Sequence, residues 1–351
     1  MNLTKNIRYL TFPQLIDYDS MGAGVFTPYA MLSGPISYKS KNINTDKFGF
    51  RSTISKKNIF NLADIEKYDE VNILLGGSTA FGVGSTSDSS TITSQLSKKT
   101  DSCWLNLGIR GCNSLTEYVQ LIRFIHNAKN INNIIFFSGM NDLYLRLVHE
   151  NIHNIDPGFG TKYSDISTYH PFKQSLAILL SSIYNIEPRD LINNSLYNMI
   201  FKPFMNNNKR KKNKKLDLDS KIKEYFKIYS RNFMLYKGLI NSLSCNVVFL
   251  IQPLIFWTEK VISKEEKDVL EYLNKIQKDE YWNEVKNILT SKGIKDKIIN
   301  NFFNISNKFG IKCYDTNRFF NKIDQTCFVD SIHLSDYGNK IISNELIKIL
   351  K

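Results

Sequence analysis

The sequence predicts an α/β fold built on a mostly parallel sheet, and three features carry that prediction. Short apolar runs recur at Val71–Leu75, Cys103–Leu107 and Asn133–Ser138. Each ends abruptly in a glycine turn, and helical spacing then follows, which is the rhythm of βαβ units. Right-handed crossovers would line the three turns along one edge of the sheet. In open α/β sheets that edge is where ligands bind. At 351 residues the chain can bury a full core, and one main domain with additions is the expected organisation.

Residues 1–60 read as an irregular, aromatic N-terminal extension, with Gly and Pro scattered through Phe12-Pro13, Gly22-Ala-Gly24 and Gly34-Pro35. Asn42 to Arg51 is turn-like, and its two phenylalanines are expected to pack on the main domain as structure rather than to meet a substrate. The main domain is expected over residues 61–351, with insertions at about 145–215 and 254–308.

The first strand has four apolar residues in five (Val71, Ile73, Leu74, Leu75) and stops at Gly76-Gly-Ser78-Thr. Ser78 is therefore the first polar side chain beyond a sheet edge. Asp88 is placed to cap a helix with Ile92 and Leu96 on one face. After the strand at Cys103–Leu107 and the turn Gly108-Ile-Arg-Gly111 comes the clearest helix. There Leu115, Tyr118, Val119, Ile122, Ile125 and His126 repeat at helical spacing behind a Ser114–Glu117 capping box. His126 on that stripe reads as a core histidine rather than a ligand. The strand Asn133–Ser138 then runs into Gly139-Met-Asn141-Asp.

From about residue 145 the rhythm breaks. The stretch to 215 holds His149, His153, His170, Pro157-Gly158, an expected helix around 175–181 and a basic run, and an insertion this long suggests a lid or a partner-binding element. Periodicity returns in a helix near 220–243 and in the strand Asn246–Ile251, which ends at Gln252-Pro253. Residues 264–308 alternate charges with Leu, Tyr and Trp. A last strand, Ile311–Tyr314, leads to Asp330-Ser-Ile-His333-Leu-Ser335, and a closing helix capped by Ser335 carries Ile342, Leu346, Ile349 and Leu350.

Composition narrows the function. The formal charge is +13, of which Lys209, Arg210, Lys211, Lys212, Lys214 and Lys215 supply six, so the basicity is partly local. Such a run reads first as a solvated loop and, as a partner site, as a contact for a polyanion. No nucleic-acid module accompanies it, so nucleic acid is not expected as a partner. Five cysteines without C-x-x-C spacing read as reduced thiols, not as a disulfide frame or a zinc site. The N-terminal residues show no apolar signal core, and polar residues interrupt the uncharged stretch 238–258. No export and no membrane span are therefore expected, and the location expected is cytoplasmic. Gly76 to Gly84 matches neither G-x-G-x-x-G nor a phosphate loop, and no H-E-x-x-H occurs, so neither a nucleotide cofactor nor a metal is expected.

A hydroxyl nucleophile needs a base, a group to orient that base, and donors aimed at the oxyanion. Ser78 is the candidate nucleophile and His333 the candidate base, with Asp330 three residues earlier to hold the imidazole. Candidate oxyanion donors are the Ser78 N–H, the Gly111 N–H and the Asn141 amide, with Gly108 competing for the glycine's place. Each piece alone is common; their conjunction, each just past an apolar strand, is not.

In four blocks the sequence resembles the SGNH hydrolase superfamily, the GDSL-like esterases and lipases. Gly76-Gly-Ser78-Thr looks like its nucleophile block, and Asn106-Leu-Gly-Ile-Arg-Gly111 is similar to its glycine block. Ser138-Gly-Met-Asn141-Asp looks like its Gly-x-Asn-Asp block, and Asp330-Ser-Ile-His333 like its Asp-x-x-His block. Gly77 departs from the family's commoner Gly-Asp-Ser. The resemblance covers about residues 70–351, with the helical insertions outside it, and implies a three-layer α/β/α sandwich with a mostly parallel, flavodoxin-like sheet. It also implies a serine esterase, with Ser78, Asp330 and His333 catalytic and Gly111 and Asn141 completing the oxyanion hole. A short acyl ester, O-acetyl included, on a carbohydrate is the substrate expected. An O-acyltransferase with the same triad and a non-catalytic glycan-binding or scaffold protein on the same fold are the alternatives.

Overall fold

The computed structural model describes residues 6–21, 25–27, 31–148, 217–276 and 280–351. Two compact units are separable, Met1–Phe159 with Leu218–Lys351, and Gly160–Asp217. The first unit is described below. His149, His153, His170, the helix expected around 175–181 and the basic run Lys209–Lys215 all lie outside the described residues.

The N-terminal segment is more regular than its Gly/Pro scatter suggests. It forms helices α1 (Ile7–Thr11) and α2 (Leu15–Ser20), a hairpin of β1 (Val25–Thr27) and β2 (Met31–Ser33), and a second hairpin of β3 (Thr53–Ile54) and β4 (Ile59–Phe60). The main sheet then begins with β5 (Val71–Gly76). A single turn, α3 (Ser78–Phe81), and α4 (Ile92–Thr100) lead to β6 (Trp104–Gly108). Helix α5 (Ser114–Ile125), strand β7 (Ile131–Ser138) and helix α6 (Met140–Val148) follow. Beyond the undescribed segment come α7 (Leu218–Leu243), β8 (Asn246–Ile251), α8 (Lys264–Ile276), α9 (Glu280–Leu289), α10 (Ile294–Phe309), β9 (Lys312–Asp315) and α11 (Asp336–Leu350).

Five strands pair in the order β6-β5-β7-β8-β9, every pair parallel. This is the doubly wound order in which the chain leaves β5 for one side and returns to the other, so the strand order reverses between β5 and β7. Alternation along the strands sorts side chains onto two faces. Ile73, Leu75, Phe136 and Phe249 meet α5, α7 and α10 on one face. Leu74, Trp104, Ile135 and Leu250 meet α4 and α11 on the other. The result is the three-layer α/β/α sandwich with a flavodoxin-like sheet that the sequence predicts.

Three local expectations are corrected. The stripe on α5 is rotated: Ile122 and His126 are exposed, whereas Thr116, Glu117, Gln120, Leu121 and Phe124 are buried. Its cap is Asn113, whose side chain accepts from the Thr116 N–H, so Glu117 is released from a capping role. Thr91, not Asp88, caps α4, because the Asp88 carboxylate is taken by Arg51 and Asn44. The C-terminal part of the stretch 254–308 is α10, which packs against the sheet. Its Ile298, Ile299 and Phe302 are buried in the core, and Phe302 stacks on Phe249 of the sheet with ring centroids 5.1 Å apart.

Candidate active site

Four segments deliver the site to the carboxyl edge of the sheet. β5 ends at Gly76, and Ser78 opens α3 directly after it. As the first residue of a helix, Ser78 has an N–H with no intrahelical acceptor. The β6 strand feeds the loop that carries Gly111, and β7 feeds the turn that carries Asn141. The fourth segment is the loop between β9 and α11, where Ser335 caps α11 by accepting from the Gly338 N–H. That cap fixes the chain just after His333.

His333 Nε2 lies 2.7 Å from Ser78 Oγ, and His333 Nδ1 lies 2.7 Å from Asp330 Oδ2. The other carboxylate oxygen, Asp330 Oδ1, accepts the backbone N–H groups of Ile332 (2.9 Å) and His333 (2.8 Å). Asp330 therefore makes its own loop rigid as well as holding the ring. Burial pushes the Asp330 carboxyl up, but the His333 charge, its hydrogen bond and the two backbone donors outweigh that and hold it at about 2. It is a carboxylate throughout the neutral range. With Nδ1–H donating to Asp330, Nε2 turns its lone pair to the Ser78 hydroxyl.

Two residues that the sequence does not single out as site candidates join the Ser78 turn to the His333 loop. Gln252 Nε2 donates to Thr79 Oγ1 (2.7 Å), and Thr79 Oγ1 donates to the carbonyl of Ile332 (3.2 Å). The available signal for Gln252 was its place: a polar residue at a strand end, on the same edge as the other three segments.

The Asn141 Nδ2 group donates to the carbonyl of Cys112 at 2.7 Å, which ties the start of α6 to the loop after β6. Gly111, at φ 73°, precedes that carbonyl and adopts the left-handed backbone that the loop requires. Gly108 does not compete, since its N–H is spent on Asn106 Oδ1 at 2.9 Å. The same corner explains Gly77. A Cβ there would lie 2.5 Å from Asn141 Nδ2, so an acid at this position would displace the amide.

Beneath Asn141 lies a buried polar cluster. Asp142 accepts from Ser114 Oγ (2.7 Å), the Ser114 N–H (3.0 Å) and Tyr229 OH (3.1 Å), and Tyr225 OH donates to the Gly139 carbonyl (2.9 Å). Glu117 Oε1 accepts from Ser138 Oγ at 2.7 Å, while Glu117 Oε2 has no partner among the described residues. Burial, then the neighbouring Asp142 charge, pushes the Glu117 carboxyl up to about 8 against the pull of Ser138. Burial also raises Asp142, against its hydrogen bonds.

The turn that follows Ser78 is braced by the N-terminal segment. Tyr18 OH donates to the carbonyls of Gly82 (2.8 Å) and Ser85 (2.9 Å). The fully buried Arg51 donates to Asp88 Oδ1 (2.8 Å), Tyr18 OH (2.7 Å) and the Gly82 carbonyl (2.8 Å). The five cysteines are unpaired, four of them buried. Among the described residues no group of three His, Cys, Asp or Glu side chains could hold a metal, and no helix is long and apolar enough to cross a membrane.

No protein-family model matches the chain, and no curated protein matches it. Among solved structures it is similar to the acetyl xylan esterase AlAXEase, with 12% identity and a TM-score of 0.41, over 80% of this chain and 100% of that one. It is also similar to a G-D-S-L lipolytic protein from Veillonella parvula (10% identity, TM-score 0.39, 80% and 97% covered). A third is the acetylxylan esterase Axe2 from Geobacillus stearothermophilus (10% identity, TM-score 0.38, 80% and 94% covered). Likenesses at this level carry no weight for function, which rests on the geometry above.

Proposed function

We propose that this chain is a serine hydrolase of the SGNH type, cleaving an ester through an acyl-enzyme. The observation that carries the reading is the unbroken chain Ser78–His333–Asp330, with both links at 2.7 Å and the first of them joining residues 255 positions apart. His333 Nε2 takes the Ser78 proton as Oγ attacks the carbonyl carbon, and Asp330 stabilises the imidazolium that forms. The Ser78 N–H, the Gly111 N–H and the second hydrogen of Asn141 Nδ2 are the donors assigned to the oxyanion. Three such donors, fixed before substrate arrives, are the term expected to lower the barrier most. Short acyl esters, O-acetyl among them, are the substrates to try first, with a carbohydrate-linked ester in the panel.

The test is labelling of the full chain with a fluorophosphonate, with the adduct located by mass spectrometry, beside hydrolysis of 4-nitrophenyl acetate. Label on Ser78 and turnover falling by roughly 10⁴ or more in Ser78→Ala are expected. Undiminished turnover in that variant, or label on another residue only, would overturn the reading.

A further inference from the structure

A cavity of about 660 Å³ opens against the Asp330–His333 loop. Its other walls come from the segment after β8 and from α8 and α9, which contribute Ile255, Phe256, Ile262, Leu270, Leu273 and Trp282. Arg8, Lys260 and Lys286 also line it. Two of these charges are already compensated, Arg8 by Asp19 and Lys260 by Glu266, and Lys286 donates to the Asn274 amide oxygen at 2.7 Å. Thr258, Asn274 and Ser331 complete the lining, but the larger part of the wall is apolar, beside a hydrogen-bonding histidine. Neither Gly111 nor Asn141 lines it.

That asymmetry orients a substrate. In the first step the Oγ–C bond forms and the Ser78 proton moves to His333 Nε2, while the carbonyl oxygen turns to the donors. In the second, the bond from carbon to the alcohol oxygen breaks, its electron pair stays on that oxygen, and the Nε2 proton is delivered there. The alcohol oxygen must then face His333, away from the Gly111 and Asn141 side. Water repeats the sequence, releasing the acid and returning the proton to Ser78.

We propose that this cavity is the alcohol-binding pocket, and that the ester's alcohol is a bulky apolar group, an alkyl chain or ring, rather than a sugar. The direction of fit rests on the hydrolase reading. A sugar would set most of its polar surface against this apolar wall, whereas an apolar alcohol gains by leaving water.

The test holds the acyl group constant. With methyl, hexyl and glucose monoacetates, kcat/KM should be at least tenfold higher for the hexyl ester than for the other two. In Leu273→Trp, which fills the cavity, the hexyl-to-methyl ratio should fall to about one. A separate titration of 1-naphthol into the full-length Ser78→Ala protein should show one-to-one binding. Adding Leu273→Trp or, as a truncation less demanding on folding, Trp282→Ala should weaken it at least fivefold. Preference for methyl or glucose acetate, a ratio kept within twofold in the variant, or no naphthol binding would each overturn the pocket while leaving Ser78-dependent hydrolysis standing. Naphthol binding that responds to both variants, in a protein that neither turns over esters nor takes the fluorophosphonate, would instead overturn the hydrolase reading and keep the pocket.

Discussion

Two buried polar clusters hold the two sides of the candidate site, and they are built on opposite electrostatic plans. Behind Ser78, Arg51 and Asp88 pair unlike charges and lock the carbonyl end of α3. Beneath Asn141, Glu117 and Asp142 place two carboxyl groups in one buried pocket. The first cluster is complete when both partners are charged. The second is complete only with a proton retained, because two like charges out of water oppose each other. The candidate site is thus anchored by an ion pair on one side and by a titrating carboxyl on the other.

The comparison needs a reference for lost chemistry with intact anchoring, and Asp330→Asn supplies the largest effect. It should lower kcat by about 10⁴, since the orientation and charge of the imidazole are what is lost. Next is Arg51→Met, which leaves Asp88 buried and uncompensated. A loss of about 3–5 kcal/mol in urea unfolding is expected. A near-neutral result would mean that the brace is ornamental and the contrast false.

Asn141→Ala should reduce kcat by about 10²–10³ with KM little changed, the signature of a donor used in the transition state. Smaller still is the pH signature of the acidic pair. Glu117 sits at about 8 in the folded chain and near 4.3 when unfolded. The folded state therefore binds the extra proton, and this contribution to stability is full below the unfolded value and lost as pH rises towards 8. Glu117→Gln should flatten that decline by roughly 1–3 kcal/mol between pH 5 and 8. Asp330 slopes the other way: its stabilisation is present above the ordinary carboxylate range and disappears as pH falls towards 2. Identical pH curves for wild type and Glu117→Gln would remove the distinction between the two anchors. The smallest effect is expected from Thr79→Val, about 1 kcal/mol, from the unpaired Gln252 amide and Ile332 carbonyl it leaves.

The strands were legible because their signal is local: Ile73, Ile135 and Phe249 sit in short apolar runs that nothing but a buried sheet explains. The candidate residues were legible for a related reason, since Ser78 and Asn141 follow β5 and β7 closely enough that topology brings them to one edge, whereas His333, well past the end of β9 at Asp315, was marked by its spacing from Asp330. The polar interior was not. Apolar periodicity on α5 pointed to Ile122 and His126, yet the buried face carries Glu117 and Gln120, which hydrogen bonding rather than hydrophobicity holds inside. Arg51 was equally hidden, because its partners Tyr18, Gly82 and Asp88 are gathered from distant positions that no spacing rule links. In α10, frequent Lys and Asn masked the stripe of Ile298, Ile299 and Phe302 that makes it part of the core.

The division of the sheet has a practical corollary. Ser78 and Asn141 are encoded before residue 149, and Asp330 and His333 after residue 216, while the ladder from Asn133↔Asn246 to Ser138↔Ile251 joins the two halves. Expressed as separate polypeptides, 1–148 and 217–351 would each be inert by composition, and any turnover on mixing would report their reassociation. Under the proposed triad, turnover would then require β7 to pair with β8.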